Sequence, residues 1–129
     1  MQIRRISDRF SVSPQIAVGE VADIAAMGFR GIVCNRPDGE GRGQPSHDEI
    51  AAVAAAAGLE FRYVPAVPGR VTEADVAKFA AAIDEMPGPV LGYCASGARS
   101  AHLWNLAEAG RPRPDGAPEE KRGWRRLFG

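Results

Sequence analysis

Short apolar runs alternate with helical stripes along most of this chain, and that alternation limits the fold more than any other feature. Strand candidates over residues 3–6, 10–12, 30–35, 60–67 and 90–93 are separated by stretches whose apolar residues recur three and four apart. Residues 19–27 place Val21, Ile24 and Ala25 on one face and stop at Gly28. Ser46 with Glu49 spells a capping box, followed by the stripe Ile50, Val53, Ala54 and Ala57 and a stop at Gly58. Residues 72–86 repeat the pattern through Val76, Phe79, Ala80 and Ile83, with Thr72 as the cap and Asp75 near the positive end of the helix dipole. Residues 100–109 carry Leu103, Leu106 and Ala107 up to Gly110. Such alternation predicts an α/β domain with a mostly parallel central sheet flanked by helices, whose ligands bind at the carboxyl ends of the strands.

One strand end is chemically distinctive. Val90, Leu91 and Tyr93 follow a Pro-Gly-Pro breaker and deliver Cys94 into the turn Ala95-Ser96-Gly97-Ala98, which closes with Arg99-Ser100 as a helix begins. The turn has almost no side-chain bulk, so its backbone N–H groups can converge on one point and hold an anion. The helix N-terminus adds unpaired amide donors and a positive dipole end, and both lower the pKa of a nearby thiol. Arg99 supplies a permanent charge and a planar fork for an oxyanion. Cys94 and Arg99 are therefore the expected catalytic pair, with the amides of Ala95, Ser96, Gly97, Ala98 and Ser100 holding substrate. At a second strand end, residues 35–43 form a long glycine-rich loop that brings Arg36 and Asp38 beside the same rim as candidate substrate contacts. A plain Pro-Asp-Gly turn would use the same residues without chemistry.

The pattern C-x-x-G-x-R-S, formed by Cys94, Gly97, Arg99 and Ser100, resembles the active-site loop of rhodanese-like sulfurtransferases and, more distantly, that of cysteine-dependent protein tyrosine phosphatases. Over residues 10–100 the chain resembles the beta-lactamase-hydrolase-like, phosphatase-like domain family. Ser11-Val12-Ser13-Pro14-Gln15, Asn35-Arg36-Pro37-Asp38-Gly39-Glu40-Gly41 and the cysteine loop carry that likeness in order. The resemblance implies a three-layer phosphatase-like fold. Members of the family occur alone or joined to a persulfide dioxygenase, which implies sulfide metabolism and such a dioxygenase as a partner.

Loop length separates two chemistries. Phosphatases of the resembling superfamily use C-x5-R, whereas only four residues lie between Cys94 and Arg99, as in rhodaneses. Phosphoryl transfer from an ester also calls for an acid near the leaving oxygen. The segment where that superfamily carries its aspartate, residues 63–71, contains no carboxylate, which leaves Asp38 as the substitute from another loop. These points lead to the expectation of a sulfurtransferase that takes sulfane sulfur from thiosulfate or a low-molecular-weight persulfide and passes it to a thiol acceptor through a Cys94 persulfide. The alternatives are a phosphatase working through a phosphocysteine, and a non-catalytic module that binds an anion or phosphopeptide.

The remaining sequence suits one catalytic domain over residues 1–110. A chain of 129 residues with zero formal net charge argues against nucleic acid as a partner of the whole domain. No apolar run has the length of a membrane span and the N-terminal residues lack a signal-peptide core, so a cytoplasmic placement is expected. Two cysteines, Cys34 and Cys94, offer neither a disulfide framework nor metal spacing, and the expected chemistry needs no metal or cofactor. Cys34, at the end of its own apolar run, reads as a packed strand residue, with the alternative that it resolves an oxidised Cys94. His47 and His102 read as surface histidines. Residues 111–129, rich in proline and arginine, are expected to form a flexible tail.

Overall fold

The computed structural model of the chain describes residues 1–111. The tail expected from residue 111 onward lies, beyond Arg111, outside the described residues. In chain order the elements are β1 (Arg4–Arg5), β2 (Phe10–Ser13), a 3-10 turn (Val18–Glu20), α1 (Val21–Ala26), β3 (Gly31–Cys34), α2 (His47–Ala56), β4 (Glu60–Tyr63), α3 (Glu73–Glu85), β5 (Val90–Tyr93) and α4 (Ala98–Ala109).

The five strands form one sheet in the order β1-β2-β5-β3-β4. β1 runs antiparallel to β2, and the other neighbours are parallel. Both faces are covered, so the central strands β2, β3 and β5 are buried at every position. Period-two alternation sorts their side chains. Phe10, Val12, Val33 and Val90 join Phe79, Ile83, Leu103 and Trp104 from α3 and α4. Ile32, Cys34, Leu91 and Tyr93 join Val21, Ile24, Ile50 and Ala54 from α1 and α2. The expected layered α/β architecture is thus present.

Two close approaches set this packing. The Phe10 ring stacks on Trp104 at 4.8 Å and reaches over the middle of β5. A Cβ at Gly92 would lie 2.6 Å from that ring, so the strand carries a glycine there.

The differences from the sequence reading lie at element ends. β4 stops at Tyr63 instead of continuing to Val67, because Pro65 has no N–H to give a ladder. Val64 and Ala66 still donate to the carbonyls of Cys34 and Asn35 on either side of it. α4 begins at Ala98, two residues earlier than expected, with Gly97 in the left-handed region at its N-cap and no side-chain cap to mark the start. Arg99 and Ser100 consequently belong to the first helical turn.

β3 and β5 are neighbours, and α2 after β3 packs on one face of the sheet while α4 after β5 packs on the other, so the chain leaves the two strands in divergent directions. The crevice between the carboxyl ends of these two strands is the place where such sheets bind ligands. The loop after β3 and the loop after β5 meet there.

Candidate active site

Cys94 is the first residue after β5 and is 1% exposed. Its Sγ accepts a hydrogen bond from the Gly97 N–H at 3.0 Å. Burial alone would raise the thiol's pKa. The backbone N–H groups of Ser100, Ser96, Gly97 and Arg99 outweigh burial and hold it below the ordinary thiol value. The loop is able to wrap this tightly because Gly97 has φ +94°, and because its missing side chain admits the backbone of Ser13. A Cβ at Gly97 would sit 3.3 Å from the Ser13 carbonyl carbon.

The base of the loop is fixed by buried polar contacts. Ser100, fully buried, donates to the Asn35 side-chain oxygen at 2.8 Å, and Asn35 Nδ2 donates to the Val64 carbonyl at 2.8 Å. Gln15 N–H bonds to the Ala95 carbonyl from the segment that follows β2.

Arg99 is 9% exposed and held from three directions. Nη1 donates to the carbonyls of Ala66 at 2.8 Å and Asn35 at 3.3 Å. Glu40 takes the end-on edge of the guanidinium, with Oε2 on Nη1 at 3.0 Å and Oε1 on Nη2 at 2.9 Å. Glu40 is in turn bound by Arg36 Nε at 3.1 Å, and Arg36 Nη1 donates to Gln15 at 3.1 Å. These bonds, the Arg99 pair foremost, lower the Glu40 pKa despite partial burial. The three sequence stretches that carry the family likeness therefore meet in one network, Gln15–Arg36–Glu40–Arg99. Among the described residues no acceptor takes Arg99 Nε, which leaves the side-on edge of the guanidinium for an oxyanion.

A cavity of about 290 Å³ opens above the cysteine. Its floor is Cys94, Ser96, Ala98 and Arg99; Pro68, Gly69 and Val71 form a wall, and His102 stands at one side. Among the described residues no carboxylate lines it.

The other expected contacts lie apart from this cavity. Arg36 reaches it only through Glu40. Asp38 is turned toward α2, where it accepts from the His47 N–H at 2.8 Å and contacts His47 Nδ1 at 2.6 Å. The His47 ring stacks on Tyr63 at 3.6 Å. Cys34 faces the α1/α2 side of the sheet beside Tyr93 and donates to the Arg36 carbonyl at 3.3 Å, while Cys94 lies in the loop beyond the next strand. Burial pushes the Cys34 thiol up. Tyr93 stands beside Cys34, and burial pushes the pKa of its hydroxyl up as well. Sequence reasoning missed Glu40, which sat inside a motif that had drawn attention to Arg36 and Asp38; His102, read as a surface histidine, is exposed and also borders the cavity.

A thiol ringed by amides, an arginine with one open edge and a crevice at a strand switch define a domain of the cysteine-based phosphatase fold. Comparison with known proteins agrees. The chain matches the family described as beta-lactamase hydrolase-like protein, phosphatase-like domain, over residues 2–111, and belongs to that family. It is 35% identical over 109 residues to the beta-lactamase hydrolase-like protein of Agrobacterium fabrum, covering 84% of this chain and 25% of that protein. The protein of the same name from Xylella fastidiosa is 40% identical over 108 residues, with the same coverage. The chain thus spans about a quarter of the length of these curated relatives. Among solved structures, a proposed phosphatase from Neisseria meningitidis superposes with a TM-score of 0.79 at 28% identity, covering 98% of this chain and 96% of that one. The core catalytic domain of the PP-IP phosphatase SIW14 from S. cerevisiae shares the fold at a TM-score of 0.64 and 12% identity, covering 82% of this chain and 64% of that one.

These findings correct the expectation of a sulfurtransferase. The family and the structural neighbours are phosphatase-like, and none of them supports sulfur transfer. Counting residues between Cys94 and Arg99 was a poor guide to the reaction. The amides that bond the Cys94 thiol are not confined to the residues between it and Arg99: two of them, from Arg99 and Ser100, come from the first turn of α4. The thiosulfate or persulfide donor and the thiol acceptor fall with that expectation. Among the described residues no helix is long and apolar enough to cross a membrane.

Proposed function

We propose that this domain is a cysteine-dependent phosphatase that hydrolyses phosphomonoesters through a phosphocysteine at Cys94. The observation that carries the reading is the Cys94 thiol, held below its ordinary pKa by converging amides at the floor of a cavity it shares with Arg99. The thiolate attacks phosphorus as the ester oxygen leaves. The amides of Ser96, Gly97 and Ser100 and the open edge of Arg99 neutralise the phosphoryl oxygens, and water then hydrolyses the thiophosphate bond. Such donors act most strongly in a site already organised around them.

The test is phosphate release from an aryl phosphate by the wild-type protein and by Cys94→Ser, with rapid acid quenching and mass mapping of the trapped intermediate. Phosphate release that Cys94→Ser abolishes, with a phosphoryl group mapped to Cys94, is the expected result. Iodoacetamide labelling across pH separates the enzyme from a passive anion binder: Cys94 should alkylate well below the pH at which Cys34 does. An unreactive Cys94 in a protein that binds phosphate without hydrolysing esters would replace the phosphatase reading with the binding one.

A further inference from the structure

We infer that His102 is the proton donor to the leaving group, in a cavity that no carboxylate among the described residues lines. This deepens the phosphatase reading and rests on it. The cavity brings three titratable side chains together: Cys94, Arg99 and His102. Cys94 is the nucleophile, and Arg99 cannot give up its proton in a protein. Among the described residues His102 alone remains for proton transfer. Its position follows from helix geometry. Ala98 and His102 are four apart and Arg99 and His102 three apart, so the stretch of α4 that presents Ala98 and Arg99 to the cavity presents His102 one turn further from the phosphate floor. A phosphomonoester seated on the floor points its ester oxygen away from the amides and toward that level.

The charged groups nearby leave this role to His102. β2 carries none, and β5 carries only Tyr93, on the opposite face. On α3, Asp75 is tied into the helix cap, while Asp84 and Glu85 at the far end pair with Arg111 and Arg62. Glu73, Lys78 and the wall-loop Arg70 do not line the cavity, and Glu40 sits beyond Arg99.

The proton balance closes within the site. As the S–P bond forms and the P–O ester bond breaks, the leaving oxygen takes the bonding pair and a proton from the His102 imidazolium. The neutral imidazole then takes a proton from the water that attacks phosphocysteine, the P–S bond breaks, and thiolate, imidazolium and inorganic phosphate result. An imidazole is suited to both halves because one ring nitrogen can give up a proton and then accept one back.

The experiment compares kcat/KM, which reports the first chemical step, for aryl phosphates with good and poor leaving groups in the wild type, His102→Ala and His102→Gln. His102 is exposed, so both variants should melt as the wild type does. Loss of about 10²-fold with an unactivated phenyl or alkyl ester, little loss with a nitrophenyl ester, and disappearance of the alkaline limb of the pH profile are expected. Equal rates across the series in both variants, or an equal loss on every ester with an unchanged pH profile, would overturn the assignment. If the wild type releases no phosphate from any ester, the phosphatase reading itself fails and the inference goes with it.

Discussion

Glu40 shows how a single side chain can decide what an arginine is free to do. An arginine left loose beside a thiolate would sample many orientations and lose entropy on each encounter with substrate. Here the carboxylate holds the end-on edge and two carbonyls hold Nη1, so the side-on edge is presented before substrate arrives. Replacing Glu40 with Gln keeps one acceptor oxygen but turns an amide donor toward guanidinium donors. The expected outcome is roughly a tenfold fall in kcat/KM for an aryl phosphate, appearing in KM more than kcat, equivalent to about 1.4 kcal/mol. Steady-state kinetics decide it. Unchanged kinetics would reduce Glu40–Arg99 to an ion pair of the kind that contributes little.

At the scale of elements, the cavity wall depends on where a helix starts. Thr72 Oγ1 accepts from the Asp75 N–H at 3.1 Å and Asp75 Oδ2 accepts from the Thr72 N–H at 3.0 Å, a reciprocal cap that fixes the entry of α3 just after Val71. Thr72→Ala should cost about 1 kcal/mol. In a domain of this size that lowers the melting temperature by about 4 °C, and Thr72→Ser should restore most of it, as thermal denaturation will show. This cap was legible in the sequence, as was that of Ser46 and Glu49, because a capping box spells both partners within four residues. The start of α4 was not, since Gly97 caps it without a side chain and the small residues before Arg99 fit a loop equally well. β4 was overextended because Val64, Ala66 and Val67 look like strand while Pro65 interrupts the ladder.

For the whole molecule, the alternation of strands and helices made the layered sheet readable, and the strand-end rule placed Cys94 and the loop after β3 at one rim. What stayed hidden was which side chains close the distance between those loops. Glu40 and Arg99 are 59 positions apart, and no local spacing announces their pairing. Asp38 looked catalytic for the same reason, although it anchors the β3–α2 loop to His47. This long-range tethering predicts acid sensitivity. Hydrogen bonds from Arg99 lower the Glu40 carboxyl pKa against partial burial. For Asp38 burial opposes the shift, and bonds from the His47 backbone and ring prevail, so its pKa is lowered too. Between each lowered folded value and the unfolded value near 4, the unfolded chain binds more protons, so stability rises with pH. The contribution is complete above the unfolded value and is lost as pH falls through the folded one. Melting temperatures should accordingly hold level above about pH 5 and fall steeply below about pH 4. Glu40→Gln and Asp38→Asn should start lower and show a shallower acid slope, because each removes one of the titrating tethers. An acid slope identical to the wild type in both variants would mean that other carboxylates govern the transition and that the loop after β3 is held by its backbone bonds alone.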